Sequence, residues 1–301
     1  MSILYLTRAN GRTEYRGAFG KVSSVRGRSF PYEDVIVVDD HKRAILAHLH
    51  AMRECELAVV VDCLRKHGLL AQGLSLLELG AGTGAQARDL ESLGFRVSAI
   101  DMVESNYSGD RVRPVADYDG RNIPFPDRHF DIVFSSNVLE HVPHIGEFQR
   151  EICRVLKNDG AAVHVLPSTA WRFWTNVSYY PHAVSLLWNI RGAKAAMARR
   201  QSSGVRAAPW KTLARALLPP RHGEEGNWFT ELWYFSQSYW SRFFRASGWD
   251  ITSAEGCRLF YTGYSILASS LPISARRMLA IVLGSATNVF VLRKSTSRTS
   301  E

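Results

Sequence analysis

Between Ser75 and Pro167, short apolar runs alternate with helix-length segments, and the first run opens into Gly80-Ala-Gly82-Thr-Gly84-Ala85. Leu76 to Leu79 reads as a strand, Ala85 to Leu93 as a helix closed by Gly94, and Arg96 to Ile100 as a second strand ending at Asp101. Val112 to Val115 is a weak third strand and Asp131 to Ser135 a fourth. A helix over Gly146 to Lys157 and the turn Asn158-Asp159-Gly160 lead to a fifth strand, Ala161 to Leu166, stopped by Pro167. Strands separated by helices of this length pair in parallel through right-handed crossovers. Ser236 is placed to cap a helix through Ala246, and Asp250 to Ala254 and Asn288 to Leu292 read as two closing strands. The expected fold is a doubly wound α/β sheet of seven strands with helices on both faces. It is mostly parallel, with one antiparallel strand near the C-terminus.

The remainder divides by pattern. Residues 1–70 read as a hairpin or lid, with alternating runs at Gly20 to Val25 and Asp34 to Val38, then a helix capped by Asp39 or Asp40 and running to Gly68. Residues 71–168 form the sheet core, 169–228 an insertion over its carboxyl edge, 229–294 the part that completes the sheet, and 295–301 a disordered tail. The start, Met1 to Arg8, lacks a basic segment followed by an apolar one, so no secretory signal is expected. The run from Met278 to Leu292 is too short and too polar to span a membrane. Four scattered cysteines, Cys55, Cys63, Cys153 and Cys257, show neither zinc nor disulfide spacing and read as buried free thiols in a reducing, cytoplasmic setting. No metal site is expected.

Charge is unevenly placed. Between Asp159 and Glu224 there is no acidic residue, and nine Lys and Arg in that stretch equal the whole net charge of +9. All eight tryptophans follow residue 170. The composition shift near Ser168 marks a segment built for another task.

Glycines in a strand-to-helix turn let a ligand lie against the backbone at the carboxyl edge of a parallel sheet, beside a helix N-terminus. Gly80, Gly82 and Ala85 satisfy the dinucleotide spacing as well, so the loop alone does not choose a ligand. Asp101, 17 positions after Gly84, is placed to accept both ribose hydroxyls. Glu78 lies in the loop's entry, where it would repel a pyrophosphate and attract the ammonium and sulfonium of S-adenosylmethionine (SAM). Asp119, in a loop before Ile123-Pro-Phe125, is placed to accept from an exocyclic amine such as that of adenine.

In order and spacing, Glu78-Leu-Gly-Ala-Gly-Thr-Gly84, Asp101, Asp119 (with Asp117 the alternative) and Phe130-Asp131 through Asn137-Val-Leu-Glu-His141 resemble the class I SAM-dependent methyltransferases of ubiquinone-biosynthesis type. The resemblance covers Leu76 to Pro167, about a third of the chain. It implies a Rossmann-like core, SAM as methyl donor, and cofactor contacts from Glu78, Gly80, Ala81, Gly82, Thr83, Gly84, Asp101, Met102, Asp119, Gly120 and Asn137. The compact Met102-Val-Glu-Ser-Asn106 departs from the family pattern, which leaves the adenine-flanking side chain open, with Met102 the choice.

Methyl transfer from a sulfonium needs alignment and desolvation, and a hydroxyl acceptor needs a base as well. His141, just past the fourth strand, is the candidate base; the competing reading is that Glu140 and His141 only fix the loop. The acceptor is sought against Thr169 to Arg221 and Asn227 to Trp240. Basic amphipathic patterns at His182 to Arg200 and Pro209 to Leu218 suit peripheral contact with an anionic membrane through 182–221. Aromatics between arginines also suit single-stranded nucleic acid, and a small anionic acceptor or a merely solvated basic face fits too. A weak likeness of Thr230 to Tyr264 to methyltransferases of surface-polysaccharide or lipid pathways favours a glycan, lipid-linked or secondary-metabolite acceptor over RNA. A SAM-binding module without activity is the other class, although neither the loop nor Asp101 is damaged.

Overall fold

A computed structural model describes residues 5–9, 12–16, 50–105, 107–181, 218–263 and 271–295. The chain divides into two compact units, Met1–Ala47 and His48–Glu301. In the first, strands β1 (Tyr5–Ala9) and β2 (Arg12–Arg16) pair antiparallel. The runs at 20–25 and 34–38 lie outside the described residues.

The second unit holds a seven-stranded sheet. Its elements are helix α1 over residues 50–66, β3 (Ser75–Leu79), α2 (Ala85–Ser92), β4 (Arg96–Met102), β5 (Ala116–Tyr118), β6 (Phe130–Ser136), α3 (Ile145–Val155) and β7 (Leu156–Pro167). Helix α4 over residues 169–181, α5 (Glu231–Tyr234), α6 (Gln237–Ala246), β8 (Trp249–Gly256), α7 (Ile273–Leu283) and β9 (Thr287–Lys294) follow. The spatial order is β5-β4-β3-β6-β7-β9-β8, and β9 runs antiparallel to both of its neighbours while all other pairs are parallel. This is the doubly wound arrangement expected, with strand order reversing between β3 and β6.

Alternation along each strand divides the core into two layers. Leu77 and Leu79 of β3 and Val133 of β6 pack with Phe148 and Ile152 of α3 and Trp240 and Phe244 of α6. Leu76, Ile132 and Phe134 point the other way, onto Leu57, Val60 and Leu64 of α1 and Leu90 of α2. Both faces are covered, which is why these strands read as continuous apolar runs. Ser236 caps α6 as expected, its hydroxyl accepting from the Tyr239 N–H.

One buried carboxylate fastens α1 to the sheet. Glu56 is fully buried; its Oε1 accepts from Tyr261 Oη at 2.7 Å and Thr287 Oγ1 at 2.6 Å, and its Oε2 pairs with Arg53 at 2.6 Å. With every acceptor used, this charge is tolerated where an unpaired one would not be.

Three expectations need correction. The third strand is Ala116–Tyr118 rather than Val112–Val115, because the earlier backbone is engaged elsewhere. The Val112 N–H donates to the Thr83 carbonyl, Arg111 Nη1 donates to the Val115 carbonyl, and Pro114 has no N–H. The helix expected to Lys157 stops at Val155, and Leu156 is already extended and opposite Phe130. Asn158-Asp159-Gly160 therefore lies within β7, where the Asp159 carbonyl accepts from Arg293 Nη1 of β9. The apolar run from Met278 also divides, into the end of α7 and β9. The four cysteines are free, but only Cys63 and Cys257 are buried; Cys55 and Cys153 are half-buried. Among the described residues no helix is long and apolar enough to cross a membrane.

Candidate active site

The site lies at the carboxyl ends of β3, β4 and β6, where the strand order reverses and ligands of doubly wound sheets bind. The loop after β3 keeps Gly80, Gly82 and Gly84 at φ of 64°, 55° and 76°, in the left-handed region that side chains disfavour. At Gly80 a side chain is excluded for a second reason: a Cβ would collide with Cγ2 of Val138. The loop after β3 and the segment after β6 are thus in contact through a missing side chain. Ala81 N–H donates to the Ile100 carbonyl, tying the loop to β4, and Gly84 sits in the left-handed conformation immediately before α2.

Asp101 is buried at the end of β4, and its Oδ2 accepts from the Gly82 N–H at 3.1 Å. The ribose candidate and the glycine loop are therefore in direct contact. Met102 is half-exposed and stands beside Gly120, with Sδ 3.5 Å from where a Cβ would be. Asp119 is exposed and its carboxylate is engaged by its own turn, accepting from the N–H groups of Arg121 and Asn122 and from Asn122 Nδ2. Those bonds fix the carboxylate and hold its pKa below the usual value. The alternative, Asp117, is paired to Arg111 at 2.6 Å. Asn137 has φ of 55° and donates its N–H to the Val165 carbonyl, which turns the chain sharply beyond β6.

The fit to SAM can be tested on two features. The loop is a cradle that only glycine backbone leaves open, and at its entry Glu78 is buried with Oε2 lacking a hydrogen-bond partner. Burial raises the Glu78 carboxyl to about 8, opposed by the Arg113 charge. A buried carboxylate without a partner is completed by a cation, and it opposes a pyrophosphate. The residues present fit SAM.

The sign of the resulting pH dependence follows. Glu78 holds a proton in the folded protein up to about 8 that the unfolded chain releases near 4.5. Its contribution to ligand-free stability therefore falls as pH rises through that interval. Binding a cationic ligand ionises it and expels the proton, so SAM affinity rises with pH, by up to ~10-fold per unit between pH ~6 and ~7.5. Calorimetry in buffers of different ionisation enthalpy should show that proton release, and Glu78→Gln should abolish it.

Several residues of the site escaped the sequence reading. The ring of Tyr107 covers Gly82, with Cδ2 3.5 Å from where a Cβ would lie. Tyr118 is half-buried near Asp101 and Asp119, its hydroxyl pushed up to about 12 by desolvation and then by those two charges. On the acceptor side, His141 meets His222 edge to face with ring centroids 4.8 Å apart, and His222 meets Trp171 of α4 at 4.6 Å. Both histidines reach the surface, and desolvation by the protein around their rings lowers the pKa of each; for His222 the charges of Arg172 and Arg53 act in the same direction. Glu140 is buried, raised to about 8 by desolvation, and lies 3.8 Å from His141 Nε2.

A buried ion pair supports this side of the site. Arg172 of α4 and Glu231 of α5 are paired at 2.7 Å with side chains 2% and 0% exposed. Glu231 Oε1 also accepts from the N–H groups of His222 and Gly223, both at 2.7 Å. The basic patterns at 182–200 and 209–218 fall almost wholly outside the described residues.

This fold and this site define a class. Residues 77–164 match a family described as a methyltransferase domain. An uncharacterized methyltransferase of Mycobacterium leprae is 28% identical over 210 residues, which is 68% of this chain and 75% of that protein. An uncharacterized methyltransferase of Mycolicibacterium paratuberculosis is 32% identical, covering 52% of this chain and 62% of its own length. The ubiquinone biosynthesis O-methyltransferase of Rickettsia bellii is 27% identical over 38% of this chain and 51% of its own length. Residues 77–164 of the chain are thus a SAM-dependent methyltransferase domain, with SAM as the methyl donor.

Proposed function

We propose that this enzyme methylates a small molecule of glycan, lipid-linked or secondary-metabolite class, held against Glu140, His141 and His222. The observation that carries the reading is the contact of Gly80 with Val138, which sets the cofactor loop directly beside the segment bearing Glu140 and His141, and His222 meets that segment through the His141 ring. When bound, SAM supplies a methyl carbon that the acceptor's lone pair displaces in line from sulfur. Glu78 would face the donor's ammonium, Asp101 would take its ribose hydroxyls, and Met102 and Asp119 with Gly120 would flank adenine. Asn137 turns the chain beyond β6, ahead of the residues that would meet the acceptor. Handling the proton of a hydroxyl acceptor would fall to His141 and His222, whose rings desolvation holds below their usual pKa.

The His222 ring beside the buried Trp171 and Phe235 gives the site an apolar flank that suits a small acceptor, and so does the name of the ubiquinone-pathway relative. Peripheral membrane contact through 182–221 would suit a lipid-linked acceptor. To test the reading, the enzyme is incubated with methyl-labelled SAM and a cell extract, and the label is followed into metabolite, lipid, RNA and protein fractions. Label in the metabolite or lipid fraction is expected. Label confined to RNA or protein overturns it.

A further inference from the structure

The group beside the acceptor position has a property that methyl transfer does not require. One carboxylate oxygen of Glu140 and one ring nitrogen each of His141 and His222 lie within 4.8 Å of one another. The Glu140 side chain is wholly buried, and neither of its oxygens has a hydrogen-bond partner among the described residues. Its ion-pair distance to His141 Nε2, 3.8 Å, is too long for a hydrogen bond. A buried carboxylate in this state is incomplete.

We propose that Glu140, His141 and His222 bind one divalent transition-metal ion, leaving an open coordination position for the acceptor's oxygen. Two imidazoles and a carboxylate suit Zn²⁺, Co²⁺ or Fe²⁺, whereas Mg²⁺ and Ca²⁺ prefer an all-oxygen shell.

The site is also built rather than incidental. The loop that carries His222 is tied down on both sides: Glu231 accepts from the backbone of His222 and Gly223, and the Glu140 carbonyl accepts from the Glu224 N–H at 3.0 Å. Arg172 Nη2 donates to the Pro220 carbonyl at 2.7 Å, at the start of the same loop. The two nearby cations each have a closer carboxylate, Arg53 pairing with Glu56 and Arg172 with Glu231, although the Arg53 charge also reaches Glu140. Both imidazoles belong to residues that reach the surface, so small ring rotations bring the three ligand atoms to the spacing a bound ion sets.

Only the occupant of the open position rests on the proposed function; binding of the ion does not. An ion there would lower the pKa of a coordinated hydroxyl, whose proton leaves to solvent on coordination. His141 would then serve as a ligand, and the lone pair left on oxygen forms the new C–O bond as the C–S bond breaks.

The test is a titration of chelator-stripped enzyme with Co²⁺, read by its visible d–d absorption. One equivalent should bind with the bands of low-coordinate nitrogen and oxygen ligation, and Zn²⁺ should displace it. Glu140→Gln and His222→Ala should each weaken binding by more than ~100-fold, beyond the loss of an outer-shell partner. His144→Ala, outside the cluster, should leave the bands unchanged. Melting curves of the metal-free variants verify folding, and SAM binding by calorimetry should be unaltered in all three. Absence of stoichiometric Co²⁺ binding by the wild-type enzyme, or wild-type affinity retained in Glu140→Gln or His222→Ala, overturns the metal site. SAM binding without cobalt bands rejects the ion alone, while label confined to RNA or protein rejects the acceptor reading alone.

Discussion

Replacing Glu231 with Ala should destabilise the enzyme by about 3–5 kcal/mol, since it leaves the Arg172 guanidinium buried without its counter-charge. Arg172 is only 2% exposed, so water cannot take the place of the lost carboxylate. The same change releases the N–H groups of His222 and Gly223, which Glu231 Oε1 holds at 2.7 Å. For a unit of this size the loss corresponds to a fall in Tm of roughly 6–20 °C. Denaturant and thermal unfolding measure it directly. A double variant, Arg172→Met with Glu231→Leu, should recover a large part of the loss, because an apolar pair of similar volume avoids the desolvation that both charges bear. If Glu231→Ala unfolds at the wild-type midpoint, the pair has no structural weight.

Asp101→Ala should act on the ligand and leave the fold alone. A carboxylate that takes two ribose hydroxyls in a closed site contributes on the order of 1.5–3 kcal/mol, so SAM binding should weaken roughly 10- to 150-fold. In the ligand-free protein Asp101 holds the Gly82 N–H at 3.1 Å and its own neighbour Met102 N–H at 2.8 Å. Both are part-buried contacts at the carboxyl end of β4 rather than in the core, and the ligand-free Tm should move little. Calorimetry with SAM and S-adenosylhomocysteine decides it; unchanged affinity removes Asp101 from the ribose site.

The parts of this structure legible in the sequence are those set by neighbours along the chain. The apolar runs of β3, β6 and β9, the Ser236 cap and the glycine loop are all local patterns, and each stands where its residues place it. What was not legible depends on partners distant in sequence. Val112 to Val115 has strand composition, but the Thr83 carbonyl and the Arg111 side chain claim its backbone first. Asn158-Asp159-Gly160 reads as a turn until Arg293 of β9 is seen to bond it. His222 falls in a basic, aromatic stretch with no metal-like spacing, and only the Arg172–Glu231 pair brings it to His141. Tyr107 lies where the chain departs from the family pattern, so no motif marked it as the cover of Gly82.

The position of β9 bears on how the molecule comes to be folded at all. It lies between β7 and β8 and supplies every sheet partner that β8 has. As the chain emerges during synthesis, β3 to β7 can zip together from neighbours already made. The outer edge of β7 must wait, since Pro167 pairs with Thr287 and Ala161 with Arg293. Until then β7 presents an open edge, apolar over Ala161–Val163 and Val165–Leu166, the kind of surface that recruits other chains. Closing it requires a long loop to be drawn in before any pairing energy is returned, which makes this the slow step of assembly. The half of the protein that binds the methyl donor is thus able to form early, whereas its lasting solubility is decided by a strand that arrives late.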